Sequence, residues 1–297
     1  MAGFWFNIIR WFGHRHFIRF GIRDRILRFL VNPDQITAIP FEVEFFGYRY
    51  RGVLNQYIDW VVFFYGAYER PNLKLLRDLL LAQNKTESVF VDVGANIGHH
   101  SLFMARYAAH IHSFEPFDFV REQLLEKISD NALSHVTVHP IGLGANSEEL
   151  PFYEPNTGNT GLGTFVNDAR HGTVLHGKSL RIEPADDYFP AHGINKVDLV
   201  KIDVEGFEPD VLLGMHKTIM RDRPIIMAEY SSQTRARLGS TEALADLVGD
   251  NYKIYTVSDD TNDYRLIPFN FDDVTGNIIL VPAEFDATHI SNGRVRR

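Results

Sequence analysis

From residue 88 onward the chain repeats one unit: a short apolar run, a polar turn, then a helical stretch. The runs are Ser88–Val93, Ile111–Phe114, Val136–His139, Val197–Ile202 and Ile225–Ala228. A strand with one wet face alternates apolar and polar residues, whereas a strand buried on both faces reads as continuously apolar. Five such runs separated by helices therefore predict an open, doubly wound α/β sheet. Lys253–Val257 and Asn277–Val281 follow with no convincing helix between them. They read as an antiparallel pair at one edge, which completes seven strands and departs from an all-parallel nucleotide-binding sheet. At 297 residues and 45% hydrophobic, the chain can bury such a core.

The N-terminal part has a different character. Residues 1–70 read as a basic aromatic helix and a β-hairpin extension, and 71–297 as the α/β domain. Phe41, Val43 and Phe45 alternate with polar neighbours, Gly47 offers a turn, and residues 41–64 read as strands. Pro71 and Asn72 open a helix through Leu81. Residues 1–30 carry six arginines against Asp24, a charge of +5, which leaves −13 for the rest of a chain of net charge −8. That balance argues against nucleic acid as a partner of the whole chain. Arginines interrupt every apolar run before a secretory or membrane-spanning stretch can form. Two readings of this segment stay open. It lies on an anionic membrane surface, or it is a helix packed on the domain or on a second subunit. On one helical wheel its apolar groups surround most of the circumference, which weakens the first reading. The chain has no cysteine, so disulfides, thiolate nucleophiles and cysteine-bound zinc are excluded, and a cytoplasmic location, with or without membrane association, is the expectation.

The segment Val89–Phe103, VFVDVGANIGHHSLF, is the first chemical motif. A strand ends in Asp92, Gly94-Ala95-Asn96-Ile97-Gly98 turns, and a helix begins. Ligands bind open α/β sheets at such carboxyl ends. The spacing Gly-x-x-x-Gly lacks the glycines with which a dinucleotide loop aims donors at a pyrophosphate. An acid just before the turn suits a ligand with a cationic or hydroxylated end. Glu115 ends the next apolar run and is placed to accept from a ribose diol, a device that nicotinamide enzymes share. Its bland reading is a helix N-cap neighbour. Gly142-Leu143-Gly144, after the third strand, is placed to lie beside an adenine.

At the fourth strand, Asp203 and Glu205 are two residues apart and share a face if extended. Glu229 ends the fifth strand, the expected neighbour. Three carboxylates at one rim suit proton transfer or substrate orientation, and Asp203 with Glu229 are candidate ligands for a divalent cation. Glu205 also reads as a first-turn helix charge, and Lys201 as a strand residue paired with a local acid. His99 and His100 read as either a base near neutral pH or solvated groups. The glycine-rich stretch Asn156–Phe165 reads as a polar loop over the ligand or simply an exposed one.

VFVDVGANIGHHS, SFEP and above all VDLVKIDVEGFE resemble the FkbM-family methyltransferases, with GAYER and PIIMAEYS also fitting, over roughly residues 64–282. The resemblance implies a Rossmann-like class I methyltransferase fold, S-adenosylmethionine as cofactor, and O-methylation of a hydroxyl on a sugar, glycan or secondary metabolite. It places Asp92, Gly94, Asn96 and Gly98 at the methionine part, Glu115 at the ribose, and Glu69 near the cofactor's amino-acid end. A first-turn helix charge is the other reading of Glu69. The alternatives from the residues alone are an NAD-dependent oxidoreductase and a non-catalytic nucleoside-binding module.

Overall fold

A computed structural model describes residues 2–15, 19–154, 165, 173–260, 263–273, 276–286 and 290. Its strands are β1 (Pro40–Phe45), β2 (Tyr48–Val53), β3 (Val89–Val93), β4 (His110–Phe114), β5 (Val136–His139), β6 (Gly142–Leu143), β7 (Glu148–Glu154), β8 (Thr173–Glu183), β9 (Leu199–Ile202), β10 (Ile225–Tyr230), β11 (Tyr252–Asp260), β12 (Asp263–Pro268) and β13 (Gly276–Pro282). The main sheet has the order β12-β11-β13-β10-β9-β3-β4-β5. The five apolar runs are its parallel strands β3, β4, β5, β9 and β10. The expected antiparallel pairing of Lys253–Val257 with Asn277–Val281 is β11 on β13.

Two details differ from the seven-stranded expectation. β13 is antiparallel to β10 and inserts between β10 and β11 rather than at the edge. The edge belongs to an eighth strand, β12, the return arm of a hairpin with β11. Its Asp263 and Arg265 interrupt the apolar signal because its outer side faces water.

Alternate residues of the central strands feed opposite faces, as the two-residue period demands. Phe90, Leu199, Ile225, Ile279 and Val281 join one core, while Val91, Val200, Ile226, Ile278 and Leu280 join the other. The first core also takes in Leu27, Phe45, Trp60 and Phe64, so the N-terminal residues share a hydrophobic layer with the α/β sheet. A small sheet, order β6-β8-β7, brings Phe152 and Leu180 against Ile97, Phe117 and Val120.

The N-terminal region corrects two expectations. Residues 57–64 are helical: Tyr57–Tyr65 forms a helix that Gly66 closes in the left-handed region (φ 87°), donating its N–H to Val62. A short run apolar on every side has no period to separate strand from helix, and here packing decides. The arginine-rich segment is two helices, Ala2–Gly13 and Phe20–Leu30, rather than one. Among the described residues, no helix is long and apolar enough to cross a membrane.

Buried polar contacts lock this region in place. Asp59 accepts from the Val53 N–H (2.7 Å) and the Tyr50 hydroxyl (2.8 Å). Lys127, buried on helix Asp118–Asp130, sits 4.8 Å over the Tyr50 ring and faces Asp59 electrostatically. Removing one member of a buried charged set leaves the other uncompensated, at a cost of about 3–5 kcal/mol. Asp59→Ala should therefore lower unfolding free energy by that order in urea titrations, and a loss below about 1 kcal/mol would contradict this role.

Candidate active site

Strand order reverses between β3 and β9, so the chain leaves these neighbours in opposite directions and opens a crevice at their carboxyl ends. Residues 94–98 leave β3 there, and 203–206 leave β9. The two segments touch through Gly94: a Cβ on it would fall 2.0 Å from the Asp203 carbonyl oxygen, and its φ of +74° disfavours any side chain. Only glycine lets them approach this closely.

Lys201 ties the same segments together. It lies beside Asp92 in the β3–β9 register, and its buried Nζ stands 3.7 Å from Asp92 and 3.2 Å from Asp203 while donating to the Gly94 carbonyl (3.3 Å). Burial pulls its pKa down, but Asp203, Asp92 and then Glu69 more than offset this and hold it above an ordinary lysine. The pairing of Lys201 with local acids is the one its sequence context suggests.

The crevice is a cleft open to solvent, and Glu115 lines it. Its Oε2 accepts from the Asn96 N–H and its Oε1 from the Phe117 N–H, both at 2.9 Å. Burial pushes its pKa up to about 7 despite these bonds. Ile97, Phe117, Val120 and Phe152 make the wall beside it apolar. A carboxylate fixed by backbone donors, next to an apolar slot, suits the diol and base of a nucleoside.

Asp203 and Glu205 also line the cleft, and together with Glu229 each offers an oxygen within 4.8 Å of the others. Parallel pairing of β9 with β10 brings Glu229 to the same rim. Burial, then Asp203, raises Glu205 to about 8 and Glu229 to about 10. Among the described residues, the buried Oε2 of Glu229 has no hydrogen-bond partner. Glu205 is not the helix charge of the alternative reading: that position belongs to Glu208, which accepts from the Val204 and Gly206 N–H groups and from the Thr234 hydroxyl. Three non-glycine residues around the crevice take left-handed φ values, Glu69 (45°), Asn96 (51°) and Glu205 (53°). Such strain gathers where surrounding structure holds a residue for function.

The remaining candidates are more dispersed. Asp92 is fully buried beneath the loop, accepting from the Ser101 hydroxyl (2.5 Å), and does not line the cleft. Gly98 ends the loop with its backbone against Leu124, and Gly142 is buried against Ile182, Phe165 and Pro116, the last two of which line the cleft, without lining it itself. Glu69 stands 3.5 Å from Nε2 of His100, which lines the cleft, and does not line it itself. His99 and His100 are both buried, and burial lowers His99 to about 3 and His100 well below the usual range, so neither is a solvated group or a base near neutral pH. Residues 156–164 lie outside the described residues, while Phe165 lines the cleft. Sequence reasoning missed Tyr57, Ile58 and Tyr68, which carry the N-terminal region onto the cleft wall. Their aromatic richness was visible but equally fitted a core.

A parallel sheet with an inserted antiparallel strand, a nucleoside-type pocket at its switch point and an acidic rim define the class I methyltransferase fold. Comparison with known proteins agrees: the FkbM methyltransferase domain matches residues 92–250, more than half of the chain, and the chain belongs to that family. It is 28% identical over 240 residues to the AMB antimetabolite synthetase AmbE of Pseudomonas aeruginosa, covering 68% of this chain and 11% of that protein. It is 30% identical over 138 residues to the hexuronic acid methyltransferase AglP of Haloferax volcanii, covering 46% and 54%. The 2-O-methyltransferase NoeI of Sinorhizobium fredii is 24% identical, covering 54% and 71%. The chain thus spans a tenth to about half the length of the first two relatives. The crystal structure of an FkbM methyltransferase from Methylobacillus flagellatus overlays with a TM-score of 0.44 at 18% identity, covering 65% and 43%.

Folding raises the pKa values of Glu205 and Glu229 above 4.5, so the folded chain holds protons that the unfolded chain has released. Their stabilising contribution is complete below 4.5 and is lost as pH rises through about 8 and 10. Glu229→Gln should stabilise the ligand-free protein by ~1–3 kcal/mol at about pH 8, with little gain near pH 4.5. Thermal unfolding across pH checks this, and a gain of the same size at both pH values would contradict it.

Proposed function

We propose that this chain transfers the methyl group of S-adenosylmethionine to a hydroxyl oxygen of a sugar, glycan or hydroxylated secondary metabolite. The observation that carries the reading is the convergence of Asp203, Glu205 and Glu229, the first two of which line the same cleft as Glu115. The acids in and behind the cleft outnumber Lys201, so the site favours a cationic ligand. The names of AglP and NoeI, a hexuronic acid methyltransferase and a 2-O-methyltransferase, support a hydroxylated acceptor.

When bound, S-adenosylmethionine supplies an electrophilic methyl carbon on a sulfonium. Glu115 accepts hydrogen bonds from the ribose hydroxyls with the lone pairs that Asn96 and Phe117 leave over. Gly94 and Asn96 present backbone to the methionine part, and Lys201 fixes that backbone through the Gly94 carbonyl. Glu205 would take the proton that the acceptor hydroxyl loses when its oxygen gains the methyl group, the carbon–sulfur bond breaking to leave a neutral thioether. A cationic ligand lowers the raised pKa of Glu205, so its carboxylate is in the proton-accepting form when the site is loaded. Asp203 and Glu229 orient the acceptor. They are also the residues that would hold a divalent cation, which would orient and acidify the hydroxyl.

The test follows a methyl label from S-adenosylmethionine into hydroxylated acceptors in extracts of a strain lacking the protein. Glu205→Gln should lower kcat by ~10²–10⁴ while leaving cofactor affinity within a few-fold. Glu115→Ala should weaken cofactor binding by about tenfold or more. Activity that survives chelator dialysis unchanged would remove the cation. Cofactor binding without label transfer to any acceptor would favour a binding module instead.

A further inference from the structure

The two N-terminal helices are amphipathic in a way that one continuous wheel conceals. The first ends at Gly13 and the second begins at Phe20, and each turns its own face inward. Inward, Gly13 packs against the Phe64 carbonyl, Arg10 donates to the Phe63 carbonyl, and buried Arg23 donates to the Gly13 carbonyl (2.5 Å). Leu27 is fully buried. Packing on helix Tyr57–Tyr65 and of the two helices on each other accounts for these inner faces.

Outward, the first helix exposes Trp5 (64%), Ile8 and Trp11 (60%) at three-residue spacing. The second exposes Ile22, Ile26 and Phe29 (88%) at helical spacing. More than half of the large apolar side chains that the described residues expose lie in these two helices. Scattered exposed apolar groups need no explanation, but a cluster on one element marks a contact surface.

Charge identifies the partner. Arg19 and Arg25 are exposed, and Arg15 lies over the ring of exposed Trp11 at 3.8 Å. The one acid in the segment, Asp24, is already taken by Arg28 (2.9 Å). The outer surface therefore offers guanidinium and aromatic groups with no carboxylate. A second copy docked face to face would set arginines against arginines with nothing to compensate them. A soluble anion would leave the tryptophans and Phe29 in water. An anionic lipid surface meets both needs: aromatic rings seat at its interface and arginines at its headgroups.

We infer that the outer faces of helices Ala2–Gly13 and Phe20–Leu30 form a docking surface for an anionic lipid bilayer. Arg28 of the second helix donates to the Tyr57 hydroxyl (3.4 Å), and Tyr57 lines the cleft. Docking itself is independent of the methyl-transfer reading and is measured without turnover.

The experiment sediments the full-length protein with vesicles of phosphatidylcholine alone, or of phosphatidylcholine mixed with phosphatidylglycerol, and measures its mass by light scattering. Binding to the mixed vesicles alone, weakened by salt, is expected. Arg19→Glu with Arg25→Glu should weaken it by about tenfold or more, as should Trp11→Ser with Phe29→Ser, with thermal unfolding unchanged. No binding to the mixed vesicles would overturn the proposal. So would equal binding to both vesicle types that charge reversal leaves intact, or a stable dimer that the Trp11→Ser and Phe29→Ser changes break.

Discussion

One buried ammonium holds the site together. Lys201 stands between Asp92 at the end of β3 and Asp203 just beyond β9, and its third contact is the carbonyl of Gly94. Without it, the buried Asp92 carboxylate would face Asp203 with no cation beside it, and burying an unpaired charge is expensive. With it, the ligand loop and the acidic rim become one body, clamped further by the approach of Gly94 to the Asp203 carbonyl. The positions of Asn96, Glu115 and Glu205 follow from that clamp. Asn96 gives its N–H to Glu115, and Glu205 is held in a left-handed conformation on the segment that Asp203 begins.

Lys201 balances only part of the negative charge around it. Glu205, Glu229 and Glu69 remain close enough to perturb one another, and two of them hold protons far above the usual carboxylate range. The ligand-free rim is therefore a charge imbalance that a cation relieves. This favours a sulfonium-bearing cofactor over a dinucleotide, whose pyrophosphate would add negative charge to the same place. The family to which the chain belongs fits that preference, and the physical case rests on the carboxylates themselves.

Much of this was legible in the sequence. The apolar runs marked all five parallel strands because burial on both faces suppresses alternation. The loop at Gly94, the acid at Glu115 and the carboxylates at Asp203, Glu205 and Glu229 follow from which residues end those strands. What escaped depended on tertiary choice. The Tyr57–Tyr65 helix has no period to read, since it is apolar all round. His99 and His100 look like solvated or reactive groups until the packing of His99 against Phe45, Tyr68 and His100 shows both buried, which lowers their pKa values. Glu205 and Glu208 are interchangeable on paper, and only the hydrogen bonds of Glu208 to Val204, Gly206 and Thr234 assign the helix-start role. The N-terminal helices were blurred because one wheel was laid over two elements.

The most direct measurement of the central claim is calorimetric titration of the protein with S-adenosylmethionine and with NAD at about pH 8, in buffers of different ionisation enthalpy. A cation entering the acidic rim should bind and expel protons from the Glu205–Glu229 pair, so the observed heat should vary with the buffer, while NAD should produce no binding. Tight binding of NAD, or binding of S-adenosylmethionine with a heat independent of buffer, would contradict the account.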